Sequence, residues 1–199
     1  MPEIEAIAHI KSDFPTKFGI PRQSGLVDGL RATVVFEPKY RDPAALRGLD
    51  ASSHIWRIGG FSQAGRQLWS PTVRPPRLGG NTGKGVFATP SPYRPNSLGI
   101  SSVAIDGIQP HTTDGPLIHV LGADLMDGTP IYDIKPYIPF ADSHPQATDG
   151  FAGRRGRALN VSMGRRWLDM LPPDIAAVII KLLEQDPRPS YQSDGARMY

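Results

Sequence analysis

Forty-two of the 199 residues are glycine or proline, 21 of each. Both residues break the interiors of helices and strands, so the chain must be built from short elements joined by tight connections. At 21.7 kDa it is long enough for one substantial domain, or for a core domain with a small appendage. Hydrophobic residues make up 39% and charged residues 21%, the balance of a folded, turn-rich protein. There is no cysteine, which excludes a disulfide, a thiolate metal site and a thiol nucleophile. The N-terminal MPEIEAIAHIKSDF carries acids at Glu3 and Glu5 and only a brief apolar run, so it reads as an opening strand and not as a signal peptide. No stretch approaches the 18 or so apolar residues of a membrane span. A soluble, cytoplasmic protein is the expectation.

Periodicity points to β-structure. Ile4, Ala6, Ala8 and Ile10 alternate with other residues, and RATVVFE (31–37) is rich in β-branched side chains. HIWRIGGF (54–61), GVFAT (85–89), SLGISSVAI (97–105) and PLIHVLGA (116–123) add further strands, with a short helix at PAALRGL (43–49). Short strands without long intervening helices predict a barrel or sandwich instead of βαβ units. HPQATDGFAGRRG then reads as a junction, followed by a possible strand RALNVSM and a helix capped by Asp174, whose Ile175, Val178, Ile179, Leu182 and Leu183 form one apolar face. Asp186-Pro187 ends that helix. The expected architecture is a mainly β barrel over residues 1–145 with a small α/β or helical C-terminal domain over 146–199.

The net charge of +3 conceals segregation. Residues 51–105 hold six bases and no acid, residues 106–149 hold seven acids against Lys135 alone, and residues 150–167 add five arginines. Such blocks either make a phosphate-binding face beside an acidic pocket or interleave and cancel. The usual cofactor signatures are missing. GGNTGKG lacks the Ser or Thr of a phosphate-binding loop after Lys84, no GxGxxG follows a strand, no GxSxG occurs, and the five histidines form no compact metal motif, so no metal site is expected.

Two stretches stand out. SPTVRPPRLGGNTGKGVFATPSPYRPNSLGIS (70–101) packs six prolines and five glycines around Arg74, Arg77, Lys84 and Arg94, with rings at Phe87 and Tyr93. Cations interleaved with rings suit nucleic acid, whose phosphates position and whose bases stack; Phe87 is by default a core residue. DLMDGTPIYDIKPYIPFADS (124–143) opens on an acidic turn and places Asp133 and Lys135 on one face of a strand, where they could pair or jointly orient a polar substrate.

These stretches resemble the YaeB/TsaA-like, or TrmO, family of tRNA N6-adenosine methyltransferases. The resemblance begins at KFGIPRQSGL (17–26) and continues through YRDPAALRGLDASSHIW, RPPRLGGN, GVFAT, SPYRPNSLGIS and DLMDGTPIYDIKPYIPFADS to QDPRPSYQ (185–192), nearly the whole chain. It implies an S-adenosylmethionine-binding β-barrel with a small C-terminal domain, a homodimer with the active site near the subunit interface, and methylation of N6 of the threonylcarbamoyl-modified adenosine beside the anticodon of threonine tRNA. By motif position, Pro21, Arg22 and Gln23 resemble the first cofactor loop, Ser62 and Gln63 the second, and Ile100 with the turn Asp124, Leu125, Met126 and Asp127 the remainder. Turn amides and the Asp124 and Asp127 carboxylates suit hydrogen bonds to ribose, adenine or ammonium. Arg22 suits either the cofactor carboxylate or an RNA phosphate. Arg74, Arg77, Lys84 and Arg94 are the RNA-backbone candidates. Methyl transfer to an exocyclic amine needs alignment above all, and Tyr93, Asn96, Asp133 and Lys135 are the candidate orienting groups; no general base is identified.

Two departures from the family pattern matter. Ser62-Gln63 stands where a His-Gln pair is common, and Pro90 stands where ATRSPFRPNPIG carries an arginine. Without that arginine a contact of charge +1 is either lost or supplied by another residue. Family members typically continue with a short tail beyond the position of Tyr199. The competing class is a non-catalytic module that binds S-adenosylmethionine or RNA.

Overall fold

The computed structural model describes residues 3–61, 70–75, 82–148, 150 and 158–186. Six strands close into an antiparallel barrel: β1 (Ala8–Ser12), β2 (Arg31–Phe36), β3 (His54–Gly60), β6 (Leu98–Gln109), β7 (Leu117–Leu121) and β8 (Pro130–Pro136), in the spatial order β1-β2-β7-β6-β3-β8. A separate pair, β4 (Thr72–Val73) and β5 (Lys84–Gly85), lies in the Gly/Pro-rich stretch. Closure leaves no free sheet edge in the barrel, which removes the usual template for edge-to-edge aggregation.

Alternation builds the interior. Register sets Ile10 opposite Val34 and Val34 opposite Ile118, and all three are buried. Ile55 lies opposite Val103, and Ala8 opposite both Phe36 and Ile131, so every strand of the barrel contributes to one apolar core. Period-two side-chain direction makes this inevitable once a sheet closes: alternate residues point in. Two register shifts bend the wall, one between Ile105 and Gly107 on β6, the other between Ile58 and Gly59 on β3. The second leaves Tyr132 of β8 as the extra residue between Ile131 and Asp133.

Among the described residues, three helices follow the barrel, α1 (Pro139–Asp142), α2 (Arg165–Leu168) and α3 (Pro173–Glu184). Helix α3 docks on the segment before β2: Ala176 is buried, Lys181 Nζ donates to Asp28 Oδ1 at 2.6 Å, and Arg31 pairs with Asp174 at 3.8 Å. Gly29 is required there, since a Cβ would meet the Val178 Cγ2 methyl at 2.6 Å.

Several expectations need correction. GVFAT is not a strand: β5 ends at Gly85, and Val86–Ala88 turn as a 3-10 helix that the Thr89 hydroxyl closes by donating to Val86 O at 2.9 Å. Phe87 is 71% exposed and not core, because that turn buries Val86 instead. PAALRGL forms a 3-10 turn at Pro43–Leu46 in place of a helix through Leu49, where a second 3-10 turn, Leu49–Ala51, begins. Residues 158–163, the described part of RALNVSM, are not a strand. Pro172 caps α3 and Asp174 lies inside its first turn, with no side-chain cap hydrogen bond; the prolines preset the backbone and start the helix earlier. On α3, Ile175 and Leu183 are exposed while Ala176 is buried.

Candidate functional site

One end of the barrel opens into a cavity of about 590 Å³, of the size that holds a cofactor. Five separated segments line it: residues 17–23 from the β1–β2 connection, the end of β3 with Phe61, residues 90–94, the start of β6, and residues 124–129 between β7 and β8. Two of them are pinned by side-chain hydrogen bonds. In the last, Ser12 Oγ donates to Leu125 O at 2.9 Å, the Ser12 amide donates to Asp127 Oδ1 at 3.0 Å, and Thr129 Oγ1 donates to Met126 O at 2.6 Å. In residues 90–94, the Tyr93 amide donates to Ser91 Oγ at 3.2 Å and Arg94 Nη1 donates to Thr89 O at 2.9 Å, so hydroxyls and one guanidinium replace regular structure.

The floor is polar. Arg57 points inward from β3 and is 4% exposed. Its Nη2 donates to Asp124 Oδ1 and to Ser101 Oγ, each at 3.0 Å, and Ser101 Oγ donates to Asp124 Oδ2 at 3.2 Å. Ser101 is the residue directly opposite Arg57 across the β3–β6 pairing, which is why it meets the guanidinium. Arg57 Nε has no hydrogen-bond partner. Burial pushes the guanidinium below its ordinary pKa, while the charge of Asp124 and the hydrogen bond to it pull the other way. Gly59 makes this conformation possible: a Cβ there would lie 2.6 Å from Arg57 Nη1 and 2.9 Å from Pro130 O.

Of the expected cofactor residues, Pro21, Arg22, Gln23, Ile100, Asp124, Leu125 and Met126 border this one cavity. Asp127 does not line it; its carboxylate is committed to the Ser12 amide. Ser62 and Gln63 lie outside the described residues. Tyr93 is at the cavity wall, whereas Asn96 is exposed beyond it. Asp133 and Lys135 lie on the outer face of β8, Asp133 paired in register with Ile58 and Lys135 with Trp56, and neither borders the cavity. They do not pair with each other: Lys135 Nζ reaches Asp142 Oδ2 at 3.2 Å. Among the nucleic-acid candidates, Arg74 is exposed, Lys84 is half-buried on β5, and Arg77 is outside the described residues. Arg94 is spent internally, on Thr89 O and over the Phe87 ring at 5.7 Å.

Arg57 and Ser101 are the members of the site that motif reading missed. The signal was present as a single charge in the strand IWRIGG, two residues from Ile55 and therefore on the same inward face. Two of the five histidines have side-chain partners away from the cavity: His9 Nδ1 meets Glu37 at 3.0 Å and His119 Nδ1 meets Thr33 Oγ1 at 3.0 Å. No group of three or more potential metal ligands exists among the described residues, and none of their helices is long and apolar enough to cross a membrane.

The donor set fits an S-adenosylmethionine-sized ligand: a cavity of adequate volume, apolar walls from Pro21, Leu98 and Ile100, a carboxylate, and a buried arginine with one unsatisfied donor. Comparison with known proteins agrees. The chain is 40% identical to a tRNA (adenine(37)-N6)-methyltransferase of Escherichia coli K12, over 96% of this chain and 83% of that protein. It is 31% identical to a probable S-adenosyl-L-methionine-binding protein of Methanothermobacter thermautotrophicus, over 70% of this chain and 93% of that protein. A solved TrmO structure superposes with a TM-score of 0.77 at 34% identity, covering all of this chain and 87% of that one. TrmO from Pseudomonas aeruginosa superposes with a TM-score of 0.74, also at 34% identity, covering 95% and 82%. The family model of the tRNA-methyltransferase O N-terminal domain matches residues 9–143, the span that holds the barrel and all five walls of the cavity, and the chain belongs to that family.

Proposed function

We propose that this chain is an S-adenosylmethionine-dependent methyltransferase acting on N6 of adenosine 37 of tRNA. The finer reading is that its substrate is the threonylcarbamoyl-modified adenosine of threonine tRNA, and that it works as a cytoplasmic homodimer. Residues 1–145 are assigned to the catalytic barrel and residues 146–199 to a small C-terminal domain. The observation that carries the reading is the convergence of Pro21, Arg22, Gln23, Ile100 and Asp124–Met126, distant in sequence, on one cavity that Tyr93 also borders.

When bound, the cofactor supplies a methyl group activated on a sulfonium. The protein's part is placement. Pro21–Gln23 and the Asp124–Met126 turn would hold the cofactor, and Phe61 and Leu98 add apolar surface to the same cavity. Tyr93, at the cavity wall, orients the acceptor amine, and a rigid cavity contributes by holding the reacting groups in line. Asp133 and Lys135, facing outward, take no part within one subunit. Arg74, Arg77 and Lys84 hold RNA phosphates, while Arg94 keeps the Phe87–Arg94 loop in shape.

The test is methyl transfer from radiolabelled S-adenosylmethionine to purified threonine tRNA with and without its threonylcarbamoyl group, the product located by mass spectrometry. Transfer to N6 of adenosine 37 in the modified tRNA is expected, and no transfer to the unmodified one. One feature favours the non-catalytic reading: Pro90 borders the cavity where the resemblance implies an arginine. Cofactor binding without transfer to any tRNA would establish that reading. Lys84→Ala is expected to flatten the salt dependence of tRNA affinity by up to about one unit of log–log slope and to leave cofactor affinity unchanged.

A further inference from the structure

Four cations border the cavity, Lys17, Arg22, Arg57 and Arg94, against one carboxylate, Asp124. They are not equivalent. Lys17 and Arg22 are exposed, and a solvated, flexible cation loses entropy and water when it engages a ligand. Arg94 is occupied by backbone carbonyls and an aromatic ring. Arg57 alone is immobilised, desolvated and incompletely used: both of its hydrogen bonds come from Nη2, and Nε has none. A buried donor without a partner is uncommon in native structures and marks a place where something polar is missing. An ion pair in such surroundings is also costly to keep unless further hydrogen bonds complete it.

Resting on the reading of this cavity as the S-adenosylmethionine site, we infer that the Arg57–Asp124 pair is the subsite for the amino-acid end of the cofactor, with the guanidinium taking the α-carboxylate and Asp124 the α-ammonium. An α-amino acid carries opposite charges on groups attached to one carbon. Its complement is a pair of opposite charges at similar spacing, and Nη2 and Oδ1 stand 3.0 Å apart. A lone arginine would attract any anion and a lone aspartate any cation, whereas the pair selects a zwitterion. Ser101 holds the second carboxylate oxygen, so the rotamer of Asp124 is set before a ligand arrives, and little ordering is left to be done on binding. The same subsite answers the departure at Pro90: both residues border the cavity, and Arg57 supplies from the floor the positive charge that the loop lacks.

The test is calorimetric titration of the full chain with S-adenosylhomocysteine, with its decarboxylated counterpart, and with 5′-methylthioadenosine, which lacks both charged groups. Wild type is expected to bind S-adenosylhomocysteine about 10- to 100-fold more tightly than the decarboxylated compound, the range a charge-assisted hydrogen bond produces. In Arg57→Gln the preference should fall to near unity while 5′-methylthioadenosine affinity is kept, and Arg57→Lys should recover part of it. Equal wild-type affinity for the first two ligands overturns the inference and leaves the cofactor reading standing, as does a preference retained in Arg57→Gln. Failure of wild type to bind any of the three overturns both. Equal wild-type affinity overturns the inference even where a variant does not fold.

Discussion

Strand β3 displays two polar arrangements, one on each face, built from similar parts under opposite conditions. Inward, Arg57 meets Asp124 and Ser101 in the cavity floor, nearly out of contact with water and with a donor unmet. Outward, the neighbouring Trp56 donates its indole N–H to Asp142 Oδ2 at 2.8 Å, and the same carboxylate receives the Ile138 amide at 2.9 Å and Lys135 at 3.2 Å. Every group in the outer cluster has a partner and Lys135 is half exposed, so it works as a staple fixing α1 against β3 and β8. The inner cluster is neither cheap nor complete. A polar group that is fully satisfied needs no explanation beyond structure; one that is buried and left short is where a ligand is to be sought.

This contrast can be broken by experiment. Arg57→Ala should be the most damaging change, about 3–5 kcal/mol by urea unfolding, because it strands the carboxylate of Asp124, whose side chain is only 13% exposed. Gly59→Ala should follow at about 1–3 kcal/mol, since its Cβ would press on Arg57 Nη1 and the Pro130 carbonyl, and the backbone oxygen has little room to yield. Trp56→Phe should cost about 1 kcal/mol, one hydrogen bond to a charged acceptor at a surface where water can replace the donor. A loss for Trp56→Phe equal to that of Arg57→Ala would show that the two faces are not different in kind.

The mildest effect concerns acid. The Ile138 amide, and after it the Trp56 indole and Lys135, hold the Asp142 carboxyl below the usual carboxylate range. A lowered folded-state value means that this group contributes stability above the unfolded value of about 3.9, and that the contribution is lost as pH falls through the folded value. Asp142→Asn should therefore show a shallower decline of stability below about pH 4 than wild type, with little change in methyl-transfer activity at neutral pH. An unchanged acid profile would mean that the outer staple is not formed in solution.

Much of the barrel was legible in the chain because its strands alternate. Ala32, Val34 and Phe36, or Ile118 and Val120, announce an inward face with no knowledge of what they face. GVFAT misled for the same reason: a short apolar run carries no record of whether a partner strand is available. Here β4 pairs only with Lys84 and Gly85, and the Thr89 hydroxyl turns the chain away. The helix α3 was readable from its spacing, its start was not, because two prolines preset the backbone ahead of Asp174. At the site, the motif residues Pro21–Gln23 and Asp124–Met126 could be named from sequence, and Asp127 beside them could not be told apart. Its commitment to the Ser12 amide spans 115 positions of the chain.

Fold class, the short elements imposed by 42 glycines and prolines, and the family can all be read along the chain, since periodicity and motif order are local properties that a single chain displays. Which charges are used inside the protein depends instead on how distant segments pack. Arg94 became a brace, Lys135 turned outward, and Arg57, a lone cation in an apolar strand, became the floor of the cavity. The reason is physical: the worth of a charge is set by its burial and its partners, and those come from segments 23, 44 and 67 positions away, as the bonds among Ser101, Asp124 and Arg57 record.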